Sequence, residues 1–212
     1  MRLWVARHAR PLLAPGICYG ASEVAADAQA TQEAAQQLAQ SLPAGLPVFC
    51  SPLTRCVQLA DALTSLRPEL MVVQDARLRE MDFGVWEGQA WAGIPRAAMQ
   101  AWTDDFFEHR FGGAESVRDL MQRVSASVHD TRRTLAESPR QECLWICHAG
   151  VARAAALLAQ GIEVVRQAGQ WPRSAPDFGQ WTWLEFATRP DSSVHRVGAA
   201  TAAVSAGSSQ AK

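Results

Sequence analysis

Lysine is almost missing from this chain. Of its 20 basic residues 19 are arginine, and Lys212 stands alone. The net charge is only −1, which excludes a general nucleic-acid binder, a class that is usually strongly basic. No run of about 18 uncharged apolar residues occurs, so no membrane-spanning helix is expected. The opening MRLWVARHAR turns charged before an apolar stretch of leader length develops, so no secretory signal is expected either. A Walker-type GxxxxGK[ST] loop is absent, which argues against a P-loop nucleotide hydrolase. The five cysteines, at 18, 50, 56, 143 and 147, lack zinc-ligand spacing. Buried reduced thiols in a cytoplasmic protein are the expectation. No metal and no cofactor are expected.

What is present is an ordinary apolar share of 48% over 212 residues, enough for one domain with a sizeable core. Strand-like and helix-like segments alternate. Met1 to Ala6 is a short apolar run that stops at Arg7-His8. Asp27 is placed to cap a helix over about 28–41. Val48-Phe49-Cys50 follows as a second strand, with Ser51 as N-cap and Pro52 opening a helix to about 66. Met71 to Val73 is a third strand candidate. Residues 78–93 have no clear period, and 94–108 read as helix. A long amphipathic helix is expected over about 115–136, from Val117, Leu120, Met121, Val124 and Val128 at helical spacing. Leu144 to Cys147 is a further strand, ending at His148 before a helix to about 160. Gln180 to Phe186 reads as the last strand. This alternation predicts an α/β domain over 1–187 with a mostly parallel sheet. The small, polar, aperiodic stretch 188–212 reads as a disordered tail.

Two strands thus end in histidine, His8 and His148. In an open α/β sheet the carboxyl ends of the strands face the ligand crevice, so both can serve one pocket. Arg7 and Arg55 add guanidinium groups, and the helix after residue 51 adds unpaired backbone N–H groups. Fixed positive charges of this kind suit a phosphoryl group and do the work a metal would otherwise do. A lone histidine after a strand or a lone arginine in a helix is more often structural. The order and placement of the set carry the argument.

With these residues in view, the chain resembles the histidine phosphatase (phosphoglycerate mutase-like) superfamily. Five ordered landmarks carry the resemblance across about 1–186: Arg7-His8-Ala9, Ser51 to Ala60 (SPLTRCVQLA), Leu78 to Gly88 (LREMDFGVWEG), Gly112 to Ser116 (GGAES) and His148-Ala149-Gly150. The loop GICYG and the phrase LREMDFGVWEG look most like the α-ribazole phosphatase branch. The resemblance implies a three-layer α/β/α sandwich and a metal-independent phosphomonoesterase. Its substrate would be a small phosphorylated metabolite, with α-ribazole 5′-phosphate one candidate.

By the same resemblance His8 is the nucleophile that becomes phosphohistidine, and Arg7 and Arg55 clamp phosphate. His148, in its cationic form, stabilises the transferring phosphoryl, with a backbone N–H near Ala149 assisting. Glu80 protonates the leaving oxygen and then activates water. Asp82 and Glu87 are the local rivals to Glu80, although a residue such as Glu87 more often has a surface or packing role. Arg10, Tyr19, Ser22 and Trp86 are candidates for the substrate rim. The motif glycine is replaced by Ala9. The asparagine that many relatives place six residues after the histidine is Ala14, and Tyr19 or Ser22 is a substitute donor. Three other readings stay open: a phosphoglycerate mutase, a phosphohistidine-protein phosphatase, and a non-catalytic phospholigand-binding domain. The partner is expected to be a small phosphomonoester, not nucleic acid or membrane, and a homodimer stays open.

Overall fold

The structure is a computed structural model and describes residues 1–187 apart from 137 and 139. The tail expected over 188–212 lies outside the described residues. Five strands form one sheet: β1 (Arg2–Arg7), β2 (Val48–Cys50), β3 (Val72–Gln74), β4 (Glu142–Cys147) and β5 (Trp181–Glu185). Their order is β3-β2-β4-β1-β5. All pairings are parallel except β1 with β5, which is antiparallel. The five described α-helices are α1 (Ala28–Ser41), α2 (Thr54–Leu66), α3 (Arg96–Asp104), α4 (Val117–Leu135) and α5 (Ala149–Ala159).

The central strands lie between two helical layers, and strand alternation divides their side chains between them. Cys143, Trp145 and Cys147 of β4 pack with α4 and α5, through Leu120, Val124, Val151 and Ala155. Leu144 and Ile146 face the other way, onto Leu38 of α1 and Leu59 and Leu63 of α2. The three-layer α/β/α sandwich expected from the sequence is therefore the observed fold. Strand β5 differs in kind. It is an edge strand, and its Trp183 is 56% exposed. At the start of β1 the Met1 ammonium donates to Phe186 O at 2.9 Å, and Phe186 N donates back to Met1 O.

Two helix starts follow the sequence closely. Asp27 Oδ1 accepts from Ala30 N at 2.8 Å and caps α1. Ser116 and Asp119 form a reciprocal capping box that opens α4. The expected start of α2 needs correction. Ser51 does not cap it, and Pro52 is not its first residue. The helix begins at Thr54, whose N–H and hydroxyl both donate to Glu23. A carboxylate from a distant loop thus takes the role assigned to Ser51, and the Thr54 N–H expected to face an anion is already spent.

Topology fixes where a ligand can sit. After β1 the chain crosses to the α1/α2 layer, and after β4 it enters α5 in the α4/α5 layer. Neighbouring strands whose connections leave to opposite faces open a crevice at their carboxyl ends. Strands β1 and β4 are such neighbours, and they end in Arg7-His8 and Cys147-His148.

Candidate active site

His8 and His148 meet at that crevice, with ring centroids 5.1 Å apart, and both are buried. His8 Nδ1 lies 2.7 Å from Ala9 O. A carbonyl only accepts, so Nδ1 carries the proton and the Nε2 lone pair is left for attack. Burial, then the charges of Arg55 and Arg7, push the His8 pKa down to about 3 against the opposing Ala9 bond. The ring is therefore neutral at physiological pH. The substitution of the motif glycine costs nothing in backbone strain: among the described residues Gln141 is the one non-glycine with positive φ, so Ala9 sits in an ordinary conformation.

Arg55 is wholly buried on the first turn of α2. Its Nη1 donates to Ser22 O at 2.8 Å, its Nη2 to Gly20 O at 2.6 Å, and its Nε to His148 Nδ1 at 3.2 Å. These bonds fix the plane of the guanidinium and use three of its five N–H groups. The third bond also fixes His148. Its Nδ1 is an acceptor, so the proton sits on Nε2 and is donated to Ser51 Oγ at 2.8 Å. The expectation of a cationic His148 is corrected. Burial first, then His8 and three arginines, hold its pKa well below the ordinary value. His148 is a neutral acceptor that orients Arg55.

Arg7 sits with its guanidinium carbon 3.7 Å from the centroid of Phe178. One terminal N–H donates to Pro176 O at 3.2 Å, while its buried Nε has no acceptor among the described residues. Phe178 also lies 5.5 Å from the His8 ring. The Tyr19 ring lies 5.2 Å from the Arg55 guanidinium, and burial raises its hydroxyl pKa against the pull of Arg7 and Arg55. Ser22 is close by, but its hydroxyl and its N–H both donate to Glu87, and its carbonyl serves Arg55. It is not the donor that replaces the missing asparagine. Ala14 itself is exposed, and Arg10 is exposed beside a groove lined by Glu33 and Asp177.

Glu80 reaches the opening of α5. Its Oε2 accepts from Gly150 N at 2.9 Å and its Oε1 from Met81 N at 3.0 Å. The N–H after Ala149 is thus spent on Glu80, and Ala149 itself is buried at the helix start. Asp82 lies apart from that helix start: its Oδ1 accepts from Gly84 N at 2.8 Å, closing a short turn. Trp86 is also no rim residue of the crevice. It packs on Phe111 with centroids 6.0 Å apart, in a separate cluster with Cys18 and Ile94.

Arg123, which sequence reasoning passed over, and Glu87, which it weighed as a rival acid or packing residue, position the named ones. Arg123 of α4 donates to the carbonyls of Arg77, Arg79 and Glu80 and pairs with Glu115, so it grips the backbone that presents Glu80. Glu87 accepts from the N–H groups of Phe83, Ala21 and Ser22 and from the Ser22 hydroxyl. Burial alone would raise its pKa, but these bonds together hold it below the ordinary value. The carbonyls that grip Arg55 belong to the loop that Glu87 ties down. The five cysteines are buried and free, as expected.

Comparisons with known proteins place the chain in a family. The family model of histidine phosphatase superfamily (branch 1) matches residues 3–196. The chain belongs to that superfamily. A curated relative from Hydrogenobacter thermophilus, named "Putative phosphoserine phosphatase 2", is 28% identical over 118 residues, 54% of this chain and 56% of its own length. The match spans little more than half of that relative. Among solved structures, mycobacterial glucosyl-3-phosphoglycerate phosphatase superposes with TM-score 0.71 at 23% identity, covering 86% of this chain and 88% of the other. A protein of Thermus thermophilus superposes with TM-score 0.62 at 24% identity, covering 88% and 94%. These likenesses establish the histidine phosphatase fold. No described helix is long and apolar enough to cross a membrane.

Proposed function

We propose that this histidine phosphatase family member is a metal-independent phosphomonoesterase that works through phosphohistidine on a small phosphorylated metabolite. One observation carries the reading: His8 is buried and held neutral beside two arginines, with Nδ1–H given to its own neighbour's carbonyl. Arg7 Nε has no acceptor among the described residues, and Arg55 retains two N–H groups after its three bonds. A phosphoryl group supplies the acceptors both lack.

In the first step the His8 Nε2 lone pair attacks phosphorus in line. The P–O bond to the alcohol breaks, and Glu80 gives its proton to the leaving oxygen. The arginines hold the equatorial oxygens as charge shifts onto them. In the second step Glu80 takes a proton from water, whose oxygen attacks phosphorus. The P–N bond breaks and His8 regains its lone pair. The finer substrate, α-ribazole 5′-phosphate, rests on the GICYG and LREMDFGVWEG phrases. A carboxylate-bearing ester is the rival, motivated by the names of the relatives.

The test is phosphate release from a panel of monoesters in EDTA, with acid-quenched protein analysed for acid-labile phosphohistidine. EDTA-resistant turnover that disappears in His8→Ala, together with a labelled His8, is the expected result. Turnover that survives in His8→Ala refutes the mechanism. Binding without turnover on every member favours the non-catalytic phospholigand reading.

A further inference from the structure

A second cavity lies next to Glu80, and neither Arg7 nor Arg55 lines it. Its volume is about 240 Å³, and Trp91, Trp102, Phe106 and Trp171 wall it, with Glu80, Gly150 and Arg153 as its polar members. Two of the wall residues have unmet needs. Trp102 Nε1 and Arg153 Nε are both buried donors without an acceptor among the described residues. A buried N–H left unpaired costs about 1–3 kcal/mol, so two on one wall call for an explanation.

Arg153 is the more telling. It sits one turn into α5, half-buried, and its Nη2 donates to the carbonyl of Arg173 at 3.3 Å. Burial and the charge of Arg7 lower its pKa, and Glu80 is the carboxylate that opposes them. Both oxygens of Glu80 are already engaged by backbone N–H groups. A planar cation with an unmet donor, beside flat apolar walls, is built for an anionic oxygen pair on an apolar frame.

We propose that this chamber receives the leaving alcohol, and that Arg153 selects phosphomonoesters whose alcohol carries a carboxylate on a flat apolar body. The inference rests on the phosphatase reading, because Glu80 must face the leaving oxygen for the chamber to meet the leaving group. The aromatic walls take the body of the alcohol, and Trp102 Nε1 supplies a further donor.

The experiment compares benzyl phosphate with 3-carboxybenzyl and 4-carboxybenzyl phosphate, whose reacting carbon and leaving oxygen are alike. The readout is the ratio of kcat/KM between a carboxylated ester and the plain one. A charge-assisted bond of ordinary strength predicts a ratio of about 10 or more for at least one isomer in wild type. In Arg153→Gln that ratio falls to about 1, whatever happens to absolute rates, because a purely structural loss lowers both esters together. Should that variant fail to fold, Trp102→Phe keeps the packing and removes one donor, and its ratio falls about threefold. A wild-type ratio near 1, or an unchanged ratio in the variants, overturns the proposal. If no ester is turned over, the phosphatase reading fails separately. The chamber is then judged on equilibrium affinities of the same esters, with the same ratios required.

Discussion

Arg55 binds the protein before it binds anything else. Three of its N–H groups are committed to Gly20, Ser22 and His148, so the remaining two are aimed without loss of rotamer freedom when an anion arrives. That rigidity depends on Glu87, which holds the loop carrying two of the three acceptors. In Glu87→Gln the side chain keeps its shape but offers one acceptor oxygen to four donors. We expect a loss of about 2 kcal/mol of stability, measured by urea denaturation, and a rise in KM larger than the fall in kcat. Glu80→Gln should behave in the opposite way: kcat falls about 10²- to 10⁴-fold while KM changes little, in steady-state assays. These roles were unequally visible in the sequence. The gathering of His8, Arg7, Arg55, His148 and Glu80 follows from motif and strand-end position, but the cationic role expected of His148 does not. Glu87 was legible only as a rival acid or a packing residue, because its work is to accept from backbone N–H groups 65 and 66 positions away. Phe178 and Arg123 gave no signal at all, since each reaches the site through tertiary packing.

At the scale of elements, the opening of α5 decides where the Glu80 carboxyl sits. A Cβ on Gly150 would collide with Glu80 Oε1, so this position admits no side chain while the carboxyl stays bonded to the Gly150 N–H. The clashing group is the end of a flexible side chain, which can move aside at small cost. Gly150→Ala is therefore expected to lower kcat at least about tenfold while shifting Tm by only a few degrees, about 1 kcal/mol or less. Calorimetry and phosphate release on one preparation check both halves. The strands and the capped helices α1 and α4 were readable because period and cap agree with the fold. The start of α2 was not, because Ser51 chose His148 Nε2–H over its own helix and a distant glutamate took the cap. Functional demand overrode a local rule there.

For the molecule as a whole, two buried neutral histidines make folding sensitive to acid. The His8 pKa lies near 3 in the folded state, and that of His148 is also strongly depressed, against about 6.5 in an unfolded chain. Below pH of about 6.5 the unfolded chain therefore takes up protons that the folded protein refuses. Stability is full above that value and declines as pH falls toward 3, by up to about 1.4 kcal/mol per pH unit for each histidine. Between pH 6 and 4 a fall in Tm on the order of 10 °C is expected, and a smaller one in His8→Gln. Scanning calorimetry over that range measures it. An equal pH slope in both proteins would assign the sensitivity to other groups. The sandwich itself was legible from alternation of strand and helix, whereas the order β3-β2-β4-β1-β5 was not, because pairing is invisible to local period.

The bond between the Met1 ammonium and Phe186, and its reciprocal partner, lie at the far end of β1 from His8. Six strand residues separate them, a span of roughly 20 Å. Met1 and Phe186 therefore share one end of the sheet, the end away from His8. A label or tether fixed beside Phe186 would therefore leave the crevice around His8 open to a diffusing ligand.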